Sequence, residues 1–214
     1  MQKHISKNYN SIVIFFFTVA ILFSSKALAQ TEIYGFAGYM TYSKIQAVEG
    51  DISFKDGLNY GGGVDVAIQR GMFVELNYTY NQTTARLRRF SGITETLFDM
   101  NTHYFQVGAL YEMKKSPKQK AYPYGLVTLG VALFDPIDPK YSDEWRFSVS
   151  FGGGGKINLS EKVGLRLQGR ILLPMTFSGG GMWCGTGGCS VGAAGWITLV
   201  QFDFTAGVFI RLGT

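Results

Sequence analysis

The chain has 214 residues, 28 of them glycine and 15% aromatic, with only 5 prolines and 2 cysteines. This content of aromatic and β-branched residues excludes a disordered chain, and the length suits one domain. The 20 Lys and Arg against 15 Asp and Glu give a net charge of +5, which by itself would suggest an anionic partner.

The N-terminus disposes of that suggestion. Residues 1–11 carry Lys3, His4 and Lys7 without an acid, and the apolar run Ile12 to Phe23 follows. Ser24-Ser25-Lys26-Ala27-Leu28-Ala29 comes next, with small residues at Ala27 and Ala29. A basic start, a short apolar core and an A-x-A site predict a secretory signal over 1–29, cut between Ala29 and Gln30. The rival, an uncleaved anchor, needs about 20 apolar residues to span a bilayer. Lys3, Lys7 and Lys26 leave with the signal, so 17 basic residues face 15 acidic ones in 30–214. A net of +2 gives no reason to expect nucleic-acid binding.

From residue 30 onward the hydrophobic period is two. Glu32–Met40 reads as a first strand whose parity is blurred by Gly35 and Gly38. In Asn59–Gln69, Tyr60, Val64, Val66 and Ile68 alternate with Asn59, Asp65 and Gln69. Met72–Gln82 sets Val74, Leu76, Tyr78 and Tyr80 against Glu75, Asn77 and Thr79. His103–Met113 places Phe105, Val107, Ala109 and Tyr111 on one side, and Tyr122–Phe134 places Val127, Leu129, Val131 and Leu133 there. Trp145–Ile157 alternates Phe147, Val149 and Phe151 with Arg146, Ser148 and Ser150. Val163–Leu173 alternates Leu165, Leu167 and Ile171 with Arg166, Gln168 and Arg170. Val200–Leu212 alternates Phe202, Phe204, Val208 and Ile210 with Gln201, Asp203, Thr205 and Arg211. Eight strands of this kind are a sheet signature.

A soluble sandwich alternates too, and two features separate it from a barrel in lipid. Connections near 41–58, 82–101, 135–144 and 174–196 are long, while 70–72, 114–121 and 158–162 are shorter. Strict alternation of long and short fits external loops and periplasmic turns. Tyr60, Tyr78, Tyr80, Trp145 and Trp196 fall near the long-loop ends, and Tyr111, Tyr122 and Tyr124 near the others, as two aromatic girdles would require. The expected fold is therefore all-β: an eight-stranded antiparallel transmembrane up-and-down barrel over residues 30–214. An open edge in hydrocarbon leaves amides unpaired, so the last strand should pair with the first. Parity across the first turn asks for an odd, three-residue loop, Arg70-Gly71-Met72.

The inward rows hold Asp65, Glu75 and Asp203 with Arg146, Arg166, Arg170 and Arg211. An eight-stranded barrel is just wide enough for its own side chains, so these should form a plug of ion pairs, with Asp203 reaching Arg170 or Arg166. A narrow polar path for solutes is the competing reading.

Candidate chemistry is sparse. His103, the one histidine after the signal, stands at an outer strand end without the nearby serine that acyl chemistry needs. Gly152–Gly155 before Lys156 lacks the phosphate-loop pattern, because Ser150 and Ile157 occupy its glycine and hydroxyl positions. The glycines suit a curved wall passing bulky interior groups. Cys184 and Cys189, in the longest external loop of an exported chain, suit a structural disulfide better than zinc or a C-x-x-C redox pair. No cofactor or metal is expected, and no enzyme. Arg86, Arg88 and Arg89 make the second long loop basic; Asp135, Asp138, Asp143 and Glu144 make the third acidic. Such charges suit lipopolysaccharide phosphates, a protein partner, divalent ions or a plain solvated rim.

Gly152 through Lys156-Ile157-Asn158-Leu159-Ser160 and then Val163-Gly164-Leu165-Arg166-Leu167-Gln168-Gly169-Arg170 resembles the penultimate hairpin of small porin-like outer-membrane barrels. These are the OmpA-barrel, OmpW and opacity-type surface proteins. The ending Thr205-Ala206-Gly207-Val208-Phe209-Ile210-Arg211-Leu212 is similar to that family's assembly signal, carried by Thr205, Gly207, Ile210 and Leu212, although the chain closes on Gly213-Thr214 instead of an aromatic. The resemblance implies the cell outer membrane, contact with its lipid and lipopolysaccharide, and the barrel insertion machinery as a partner. It implies no activity, since one barrel hosts many functions. The expected role is display of surface loops for adhesion, envelope integrity or partner binding, with a narrow pore or conduit for hydrophobic solutes as the alternative.

Overall fold

The computed structural model describes residues 31–43, 45–47, 50–91, 94–116, 119–185, 188–197 and 199–212, without the side chains of 45–47, Gly50, 176–185 and 188–197. Among the described residues there are eleven strands: β1 (Thr31–Tyr42), β2 (Ile45–Ala47), β3 (Gly50–Phe54), β4 (Gly57–Gln69), β5 (Met72–Arg89), β6 (Thr94–Glu112), β7 (Ala121–Pro136), β8 (Glu144–Asn158), β9 (Val163–Gly185), β10 (Gly188–Ile197) and β11 (Gln201–Leu212). Eight of them, β1, β4 to β9 and β11, make the wall; each pairs antiparallel with its neighbours. β11 closes on β1 from Thr31↔Leu212 to Tyr42↔Gln201, so the wall has no free edge to leave amides unpaired in lipid.

Alternation sorts the side chains by solvent. Leu76, Val127, Leu129, Leu167 and Phe204 are exposed on the outer surface, whereas Asp65, Glu75, Arg166, Arg170 and Asp203 are buried inside. The blurred first strand resolves the same way, with Glu32, Tyr34 and Met40 inside and Ile33 and Tyr39 outside. Inward glycines make room for rings lying flat on the wall. A Cβ at Gly63 would come within 2.5 Å of the Tyr34 hydroxyl, and one at Gly154 within 2.9 Å of the Tyr124 hydroxyl.

Three expectations need correction. Tyr122 and Tyr124 are not girdle residues: both are 2% exposed and point inward, while Tyr111, at 53%, faces out. The first turn has two residues, Arg70 and Gly71. Gln69 pairs Met72, the register shifts between Ala67 and Gln69, and Gly71 takes φ 79°. The odd residue demanded by parity sits in this irregularity within the strand. Finally, much of three of the four long external connections, 41–58, 82–101 and 174–196, is strand, whereas 137–143 between β7 and β8 is not. β5 and β6 stay paired out to Arg88↔Thr94, β9 and β10 form a hairpin, and β3 adds to β5. About ten residues suffice to cross the bilayer, so β5 (18 residues) and β6 (19 residues) project well beyond it.

Candidate functional site

The interior is stratified. Nearest the short turns, Lys156 of β8 reaches across to three other strands. Its ammonium, fully buried, lies 2.5 Å from Glu32 Oε2 on β1, 2.8 Å from Glu112 Oε1 on β6 and 3.2 Å from Asp65 Oδ2 on β4. Arg211 of β11 closes this end, donating to Glu32 at 2.8 Å, the Tyr122 hydroxyl at 2.8 Å and Asn158 at 2.9 Å.

The next layer is built on Arg166 of β9. Its guanidinium donates to Asp65 at 2.9 Å, to Glu75 and to the Tyr124 hydroxyl at 3.0 Å, and it stacks 4.0 Å from the Tyr34 ring centroid. Higher still, Arg170 donates through Nε to Asp203 at 2.8 Å, and through its terminal nitrogens to Asn77 at 2.8 Å and Thr79 at 2.9 Å. Asn59 also donates to Asp203. The planar forked guanidinium suits both arginine positions, because several acceptors must be met at once with no bulk water to make up a deficit.

Above the ions the lumen turns apolar. Met40, Met100, Tyr104, Ala132, Phe134 and Leu172 pack into one buried cluster, with the Tyr104 hydroxyl donating to Gln201 at 2.7 Å. Over this floor opens a cavity of about 250 Å³, walled by Phe54, Phe98, Tyr141 and Leu199 with Arg146 at its side. From the inside outward the barrel therefore holds an ionic plug, an apolar seal and a cup.

Of the residues expected inside, Asp65, Glu75, Arg166, Arg170 and Asp203 share the buried network, and Arg211 caps its lower end. Arg146 is elsewhere. It sits at the cup, 2.8 Å from Glu144 and over the Phe134 ring, because the β7–β8 end of the wall lies above the seal. Lys156, Glu32 and Glu112 were missed by the sequence reading, though the signal for Lys156 existed. The row that places Arg146, Ser148 and Ser150 inside runs on through the glycines to residue 156.

His103 faces outward, its Nδ1 2.9 Å from the Tyr78 hydroxyl and its ring against Tyr80. On β11, Thr205 points inward, Gly207 passes against Phe36, and Ile210 and Leu212 face out. Cys184 and Cys189 stand opposite one another in the β9–β10 backbone register; their side chains, and that of Trp196, lie outside the description. Ala27, Ala29 and Gln30 lie outside the described residues.

The model of the outer membrane protein beta-barrel domain family matches residues 15–180. No curated protein matches the chain. Among solved structures, the outer membrane protein OprG from Pseudomonas aeruginosa superposes with a TM-score of 0.61 at 12% identity, covering 87% of this chain and 97% of its own. Neisserial surface protein A gives 0.55 at 14% identity, covering 84% and 96%. AlkL, solved in lipid bilayers, gives 0.51 at 13% identity, covering 89% and 94%. At these identities the likeness speaks to fold.

Proposed function

The chain belongs to the outer membrane protein β-barrel family and lies in the cell outer membrane, and from that premise we propose that it is a closed, non-enzymatic barrel displaying its extracellular strands and loops to partners. The observation that carries this reading is the Lys156 strut. One buried ammonium tied to carboxylates on three other strands, with Arg166 and Arg170 stacked above it, occupies the cross-section a solute would need. A rigid wall running past the membrane then serves as a pedestal. Export by the signal cut after Ala29, recognition of the β11 ending by the insertion machinery, and a Cys184–Cys189 disulfide in the β9–β10 hairpin complete the proposal.

One observation favours a second reading. The cup above the seal is lined mainly by aromatic and aliphatic side chains, as a pocket for a small hydrophobic solute would be. Such a solute would have to leave sideways through the wall, since the ions lie beneath. Planar-bilayer recording tests the first reading. The purified protein should show no sustained single-channel steps, and regular steps from the wild-type barrel would overturn it. Uptake of a hydrophobic solute into vesicles carrying the barrel, without ionic conductance, would favour the second.

A further inference from the structure

The cup above the seal has two unlike walls. On one side stand rings: Phe54 of β3, Phe98 of β6 and Phe134 of β7, with Tyr141 from the connection that follows β7. The other side is the outer end of β8. There Glu144 pairs Phe134 and Arg146 pairs Ala132 across the ladder, so Glu144 lies two residues nearer the mouth. Beneath, Met100, Phe134 and Leu172 belong to the buried seal and close the floor. The pocket is apolar along one wall, charged along the other and shut below.

Tyr141 is positioned by the backbone around it. Its amide donates to the Asp138 carbonyl at 3.1 Å, and the Lys140 amide donates to Asp138 Oδ1 at 3.0 Å. The Ile137 amide ties this turn to β6 through the Asp99 carbonyl at 2.8 Å. The Tyr141 ring meets Phe98 at 4.4 Å between centroids while the residue stays 44% exposed. Across the cup, Arg146 lies over the Phe134 ring at 5.7 Å and donates to Glu144 at 2.8 Å. The two members of that pair are unequally placed, since the Arg146 side chain is 23% exposed and that of Glu144 52%. Glu144 can turn into water at little cost, because ion pairs with so exposed a member contribute little. Drawing Arg146 away instead would leave the better-buried charge without that partner.

We propose that the cup binds a small aromatic carboxylate, its ring against Phe54, Phe98 and Tyr141 and its head on Arg146 in place of Glu144. The exchange decides the sign of the head group. An acid displaces the half-exposed Glu144, whereas an amine would have to displace Arg146 and then lie beside a like charge. The planar guanidinium fork also matches a carboxylate. Walls made of rings favour an aromatic body over an aliphatic one of equal size, because ring pairs contribute beyond the area they bury. Volume limits the ligand. A cavity of about 150 Å³ holds benzene, so the 250 Å³ of the cup takes one ring with a short acidic tail and excludes a long acyl chain. The proposal takes up the cup of the second reading above and names its ligand, but it concerns binding alone. Failed uptake would leave it standing, and it is independent of whether the lumen conducts.

The test is calorimetric titration of the refolded mature chain in phosphatidylcholine nanodiscs with 3-phenylpropionate, against empty nanodiscs. Wild type should saturate in the millimolar range or below, as about a dozen heavy atoms allow. 3-Phenylpropanamide and 3-phenylpropylamine, with neutral and cationic heads, should bind about tenfold more weakly or worse. 3-Cyclohexylpropionate should bind a few-fold more weakly. The two members of the ion pair should act in opposite directions. Arg146→Gln should weaken binding about tenfold or more, whereas Glu144→Gln, which removes the competitor, should tighten it about two- to fivefold. Arg89→Gln, at the exposed pair with Glu95, should bind like wild type. If Arg146→Gln fails to fold, Glu144→Gln still decides, because its side chain is half in water. No saturable binding by wild type, an amide, amine or cyclohexyl analogue that binds as well as the aromatic acid, or a Glu144→Gln variant that binds no tighter would overturn the proposal.

Discussion

Lys156 shows how one side chain can hold a barrel together. Its three carboxylates have unequal alternatives: Glu32 also receives Arg211 and Asp65 also receives Arg166, but Glu112 has no second cation among the described residues. Lys156→Met should therefore cost about 3–5 kcal/mol, the usual price of stranding a buried charge. Adding Glu112→Gln should return about 1–3 kcal/mol, because the stranded charge is gone. Urea unfolding in lipid vesicles measures both, and a double variant no more stable than Lys156→Met would remove Glu112 from this role. The limits of the sequence at this scale are specific. Parity assigns a side of the wall but not a height along it, so Arg146 reads like Arg166 although one lies at the cup and the other in the plug. Tyr122 and Tyr124 misled for a related reason. They stand on the inward row of a strand that is apolar on both faces near its start, so hydropathy gave no contrast to assign them.

The β5–β6 pair shows where periodicity speaks and where it falls silent. Within the bilayer the pattern is apolar outside and polar inside, and all eight wall strands were legible from it. Past Tyr80 the outer solvent becomes water, and the pattern inverts: Ala85 and Leu87 turn inward while Thr84, Arg86 and Arg88 face out. A reader looking for one alternation sees it stop at the bilayer edge and infers a loop, although the backbone ladder continues. Pairing of β5 with β4 has already ended at Asn59↔Asn81, and that of β6 with β7 begins at Met100↔Pro136. The projecting hairpin is thus dispensable for closure. Replacing Ala85–Phe98 by Asn-Gly joins the paired residues Thr84 and Asp99 through a two-residue turn. The shortened protein should still migrate as a compact band in unboiled detergent samples and shift on boiling. A variant that runs unfolded in both lanes would show that the extension is part of the barrel's assembly.

At the scale of the whole molecule the bilayer acts as the solvent of the outer surface, so the cost of a charge there depends on depth alone. Two positions on adjoining strands separate depth from everything else. Leu129 of β7 is 52% exposed and lies midway between Tyr111, whose partner is Gly125, and the upper belt, where Leu133 pairs Trp145. Trp145 of β8 is 61% exposed in that belt. Neither side chain enters the lumen, so replacing either with arginine leaves the plug and seal untouched. Leu129→Arg should destabilise the barrel by about 2–4 kcal/mol and Trp145→Arg by about 0–1 kcal/mol, following the fall in cost from midplane to interface. The two should be indistinguishable in a detergent micelle thin enough to let water reach both. Denaturant titration in bilayers and then in short-chain detergent measures the difference. Equal costs in bilayers would mean that the hydrocarbon core does not lie where the two belts place it, because an arginine snorkels freely only near an interface.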